Sequence, residues 1–124
     1  MSNFSGTAQP TRQAILAHAA RVADAFHPHR IVLFGSHAYG HPTADSDVDL
    51  LVEMPHAGKP WQTASAIRAA VHAGYAVDYL VRSSEELADR IAMGDGFIRE
   101  IVEKGEVLYA APDATREPDR GGAR

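Results

Sequence analysis

The sequence predicts an α/β domain of the α+β kind, a small mixed β-sheet with helices packed chiefly on one face. Three observations carry that expectation. Segments 31–34, 47–52 and 75–81 are short runs rich in branched and aromatic residues, with the length and composition of strands. Apolar residues recur at helical spacing before, between and after these runs. Glycine, proline, serine and aspartate cluster at 35–36, 42–46 and 53–60, where the chain has to turn.

A chain of 124 residues with 45% apolar residues is one domain of ordinary globular composition. The expected organisation is a flexible start over 1–10, one domain over 11–111 and a polar, disordered tail over 112–124. A net charge of −4 argues against extended nucleic-acid binding. It leaves a small nucleotide open, because a metal would accompany the phosphates. The absence of cysteine excludes a disulfide framework and thiolate chemistry. No apolar run approaches the roughly 18 residues of a membrane span, and the first residues lack a signal-peptide core, so a cytoplasmic location is expected.

Taken in order, Pro10 can open a helix, and Ile15, Leu16, Ala19, Val22, Ala23 and Phe26 define the apolar face of one over about 11–26. His27-Pro28-His29 ends it, because proline disfavours helix in the residue before it. Ile31 to Phe34 is the first strand. Ser36 reads as the N-cap of a short helix that Gly40 stops, with His37 and His41 four apart on one face at the rim of a site. After a loop around Asp45 the second strand runs through Asp47-Val48-Asp49-Leu50-Leu51-Val52. A helix over 61–72 presents Trp61, Ala64, Ile67, Ala70 and Val71 as an apolar stripe, with Trp61 as a core anchor and Gly74 as the stop. The third strand follows. Ser83 with Glu85 and Glu86 marks the start of a further helix, which breaks at Gly94-Asp95-Gly96 and resumes to Lys104-Gly105. Glu106 to Tyr109 reads as a short edge strand.

Two places carry chemistry. Asp47 and Asp49, at i and i+2, project from one face of the second strand, about 6.6 Å apart at about 3.3 Å per residue. At an effective dielectric of about 20 their charges repel by about 2.5 kcal/mol. A pair placed so calls for a cation, and Mg²⁺ suits a few carboxylate oxygens shared with a phosphate substrate. Asp78 interrupts the third apolar run, a position expected only for an edge, paired or metal-bound acid. Beside Asp47 and Asp49 it reads as a third site carboxylate. Gly35 lets backbone approach a ligand closely, and Ser36 stands at a helix start that offers free N–H groups to phosphate.

Gly35-Ser36, ten intervening residues and then Asp47-x-Asp49, with a strand on each side, resembles the signature of the DNA polymerase β-like nucleotidyltransferase superfamily. In size the chain is similar to the minimal nucleotidyltransferases, the MNT group. The resemblance covers about 31–81 and implies that Asp47, Asp49 and Asp78 are catalytic metal ligands and that Gly35 and Ser36 hold the nucleotide. It further implies ATP as donor, AMP as the transferred group, and kinship to the antitoxins of HEPN–MNT toxin–antitoxin pairs. In those pairs the MNT protein adenylylates a tyrosine of its HEPN ribonuclease partner, which makes a hetero-oligomer an expectation. Two alternatives stand beside it: a binding antitoxin that neutralises its partner by contact, and a small-molecule (aminoglycoside-like) nucleotidyltransferase working with a separate substrate-binding subunit. Many relatives carry a basic residue just before the glycine matched to Gly40, where this chain has Tyr39.

Overall fold

Four strands and five helices follow one another in the computed structural model of the chain, which describes residues 9–43 and 45–112. The frayed start and polar tail expected from the sequence fall almost wholly outside the described residues. Helix α1 (Arg12–Phe26) leads to β1 (Arg30–Phe34), the single-turn α2 (Ser36–Tyr39) and β2 (Val48–Glu53). Helix α3 (Pro60–Ala70) and β3 (Val77–Arg82) follow, then α4 (Ser84–Ala92), α5 (Gly96–Lys104) and β4 (Glu106–Ala110). The sheet order is β3-β2-β1-β4. β1 pairs antiparallel with both β2 and β4, whereas β2 and β3 run parallel, joined by the α3 crossover. The sheet is therefore mixed, as expected, and β4 is the edge strand that 106–109 suggests.

Alternation along the strands sorts the core into two layers. Ile31, Leu33, Val48, Leu50, Val52, Tyr79 and Val81 face α1 and α3, meeting Ile15, Ala19, Val22, Ala64 and Ile67. Val32 and Leu51 face the other way, onto Leu87 of α4 and Ile98 and Ile101 of α5, with Phe34 and Leu80 beside them. The larger core lies on the α1/α3 side, in line with the expected fold class, and α4 and α5 cover the second face with a smaller one. The Gly94–Asp95–Gly96 break lets α5 turn back against the strands; Asp95 caps it by accepting from Ile98 N at 3.1 Å.

Several local details differ from expectation. Pro10 precedes the cap of α1, which is Thr11, its hydroxyl accepting from Ala14 N at 3.0 Å. Helix α3 ends at Ala70 rather than His72, and Gly74, at φ 81°, belongs to the turn into β3. Trp61 is no core anchor: it is 65% exposed, because the first turn of α3 overhangs the sheet, and the buried residues of that helix are Ala64 and Ile67. Among the described residues no helix is long and apolar enough to cross a membrane.

Candidate active site

The candidate residues converge at one end of the sheet, on the α4/α5 face. Asp49 alternates with Leu51 on β2, and Asp78 with Leu80 on β3, so both carboxylates share the face of those two apolar residues. In the parallel register Asp49 lies opposite Asp78, and in the antiparallel register it lies opposite Phe34. Neighbouring strands are about 4.8 Å apart, so the Asp49–Asp78 pair is closer laterally than Asp47 and Asp49 are along the chain. Asp47 stands one residue before β2, exposed, instead of inside the strand as the sequence suggests. Asp78 is exposed on the edge strand β3, so edge position and site position coincide.

These placements show in the acid–base behaviour of Asp49. Partial burial pushes its carboxyl above the usual carboxylate value, and the charges of Asp78 and then Asp47 push it further; His37 pulls it back. Two neighbouring acids thus act on Asp49 at the centre of the site. Repulsion of this kind favours a bound cation.

Gly35 supplies the second half. It has φ 77° and ψ −159°, a region open in practice to glycine alone. A Cβ there would overlap Asp49 Oδ2 and lie 3.2 Å from its Cγ. The glycine therefore makes room for the Asp49 carboxylate as well as for any ligand beside it. Gly35 is also the N-cap of α2, which moves Ser36 from the cap, where the sequence places it, to the first helical residue. Ala38 N and Tyr39 N both donate to Gly35 O, at 3.0 and 3.1 Å.

His37 is the residue that sequence reasoning undervalued. It was paired with His41 as a rim residue, but α2 ends at Tyr39, so the two do not share a helix face. Among the described residues, His37 is instead the one group whose charge eases the load on Asp49, and its Nε2 is buried with no hydrogen-bond partner among them. Its adjacency to Gly35-Ser36 was the signal available.

The donor set suits a divalent cation. It consists of carboxylate oxygens, the hard ligands Mg²⁺ takes, and Asp47, Asp49 and Asp78 would hold it. Among the described residues no three acidic or histidine side chains close into a cage around a metal. An open set of this kind matches a metal that completes its shell with substrate phosphates and water.

A mixed sheet with acids at one strand end, a glycine turn beside them and a crossover helix behind defines the class of small nucleotidyl-transfer domains. The profile of the nucleotidyltransferase domain family matches residues 17–108, and the chain belongs to that family. Its fold is similar to the crystal structure of a Sulfolobus solfataricus protein assigned as a nucleotidyltransferase. The match has a TM-score of 0.54 at 20% identity, over 79% of this chain and 78% of that one. No curated protein matches the chain.

Proposed function

We propose that this nucleotidyltransferase transfers AMP from ATP to a hydroxyl acceptor, a tyrosine of a cognate HEPN ribonuclease toxin, and so acts as an antitoxin by protein adenylylation. The observation that carries the transfer reading is the register pairing of Asp49 with Asp78, with Gly35 packed against the Asp49 carboxylate. Asp47, Asp49 and Asp78 would hold Mg²⁺, and Gly35 and Ser36 would receive the outer phosphates of ATP. The metal, when bound, neutralises charge on the phosphates of the donor.

The residues of this chain do the rest. Ser36 and the N–H groups at the start of α2 orient the leaving pyrophosphate. Asp78, exposed on the edge strand, takes the proton from the acceptor hydroxyl. The acceptor oxygen forms a bond to the α-phosphorus as the bond from that phosphorus to the bridging oxygen breaks. Pyrophosphate leaves with that electron pair, and the proton passes from Asp78 to water. Support for a macromolecular acceptor is the site's position at an open sheet end, with no second domain among the described residues to enclose a small molecule. The experiment is transfer of label from α-labelled ATP to the product of the neighbouring gene. A labelled tyrosine supports the reading; a stable, inhibited but unlabelled complex would leave a binding antitoxin in its place.

A further inference from the structure

The charges of this acidic protein are unevenly placed. No aspartate or glutamate precedes Asp24, and none lies between Glu53 and Asp78. Those two stretches supply most of α1 and all of α3, which pack on the sheet face opposite Asp49 and Asp78. Arg12, His18 and Arg21 come from α1; Arg68 comes from α3 and His72 from the turn after it. Arg12 is paired with Glu106. Among the described residues Arg21 and Arg68 have no carboxylate partner, Asp24 included.

These two arginines meet at one pocket of about 350 Å³. Arg68, His72, Tyr75, Val77 and Tyr79 line it, and its wall contains no acidic residue. Arg68 Nη2 donates to Val77 O at 3.1 Å, and its guanidinium lies 5.3 Å from the centre of the Tyr79 ring. Arg21 borders the pocket: its Nη2 donates to His72 O at 3.0 Å and lies 3.4 Å from His18 Nδ1. His18 Nε2 in turn lies 2.5 Å from the Tyr79 hydroxyl. Burial raises the Tyr79 phenol above its usual value, and Arg68 and then Arg21 pull it back, so both cations act on the same place. One backbone carbonyl steadies each guanidinium fork and leaves further N–H donors of its five uncommitted.

The other components narrow the ligand. Two cations without a counter-ion suit a phosphate monoester, which carries a charge of about −1.5 to −2 at pH 7. Tyr75 supplies a flat surface beside them, its hydroxyl donating to Ala14 O at 3.3 Å and its ring 6.1 Å from that of His18. An aromatic face next to a phosphate site suits a nucleobase. The volume is at the small end of the roughly 300–1,000 Å³ of small-molecule sites. With a net charge of −4 on the chain, a single nucleotide fits better than a polynucleotide.

We propose that this pocket is a second nucleotide site, which binds a nucleoside monophosphate with its phosphate between Arg21 and Arg68 and its base on Tyr75. It is separate from the carboxylate site, because the sheet lies between them. Val77 and Tyr79 reach it from the strand that carries Asp78 on its other face.

The test is calorimetry in EDTA, with AMP, inorganic phosphate and adenosine as probes. Wild type should bind AMP more tightly than either phosphate or adenosine. Arg21→Ala and Arg68→Ala should each raise the Kd for AMP about ten- to a hundredfold, and Arg68→Lys, which keeps the charge, should lose less. Tyr75→Leu should weaken AMP about five- to a hundredfold and leave phosphate unchanged. Asp49→Asn should bind AMP as wild type does. In wild type alone, AMP should move the backbone amide signals of residues 72–79 and leave those of 35–39 in place. No saturable binding of AMP by wild type at millimolar concentration would reduce the two arginines to braces of the turn into β3 and overturn the site. Movement at 35–39 instead, or loss of binding in Asp49→Asn, would assign the nucleotide to the carboxylate site and overturn it too. Equal affinities for AMP and phosphate would overturn the place given to the base.

Discussion

Gly35→Ala tests the closeness of backbone and carboxylate on which the site depends. The backbone conformation, φ 77° and ψ −159°, costs a residue with a side chain about 1–3 kcal/mol. The new methyl would also meet Asp49 Oδ2 and Cγ, an overpacking worth about 1–3 kcal/mol. Together the substitution should destabilise by about 2–6 kcal/mol, a large share of the 5–15 kcal/mol typical of a domain. The two contributions separate in a double-mutant cycle with Asp49→Ala. That change removes the carboxylate and leaves Asp49 Cβ, which sits 3.4 Å from the built Gly35 Cβ, at ordinary contact. In the Asp49→Ala background only the backbone cost remains, so the two changes should couple by about 1–3 kcal/mol, less than additively. Urea unfolding of the four proteins, with unchanged m-values, reads the coupling directly. Additivity within about 0.5 kcal/mol would refute the contact between Gly35 and Asp49.

Other predictions follow from the same structure. Asp49 has its pKa raised in the folded state, so the metal-free protein loses stability as pH rises from the unfolded value through the raised one. Asp49→Asn should therefore raise the melting temperature in EDTA and remove that slope while eliminating transfer; a lower melting temperature would count against the repulsion. Asp78→Asn should reduce turnover on the order of a hundred- to ten-thousandfold with nucleotide binding retained, as loss of a general base does. His18 is buried against Tyr79, its ring nitrogen 2.5 Å from the phenol, and burial, then Arg21, lowers its pKa. Its contribution is present above the unfolded value of about 6.5 and is lost as pH falls below it. For His56 the shift is upward, mainly through Glu86, so its contribution is present at low pH and lost as pH rises. Thermal melts across this range should show His18→Gln and His56→Gln changing the pH slope in opposite directions. Ile67→Ala, at a fully buried position of α3, should cost about 2–5 kcal/mol in urea unfolding.

Much of the site was legible because strand alternation is a rigid rule. Once 47–52 and 78 are read as strand, Asp49 and Asp78 must choose faces, and a charged residue inside an apolar run needs a reason. What a single sequence does not carry is register. Nothing in it states that Asp49 sits opposite Asp78, or that the space opposite Gly35 is filled by a carboxylate. The helices over 83–104 were legible, but not the face they cover, because α4 and α5 bury few residues each, Leu87 in one and Ile98 and Ile101 in the other. Trp61 misled because periodicity gives a direction around a helix but not whether the helix's first turn still lies over the sheet. His37 lay hidden for a related reason: its value comes from Asp49, twelve residues away and across the β1–β2 turn.

The most direct measurement is label transfer from α-labelled ATP with and without Mg²⁺, using wild type, Asp49→Asn and Asp78→Asn, in the presence of the neighbouring gene product. The account predicts metal-dependent labelling of a tyrosine on that product by wild type, none by Asp49→Asn, and labelling slowed on the order of a hundredfold or more by Asp78→Asn. Labelling at the wild-type rate by either variant, or no labelling by wild type protein that binds Mg-ATP and the partner, would contradict it.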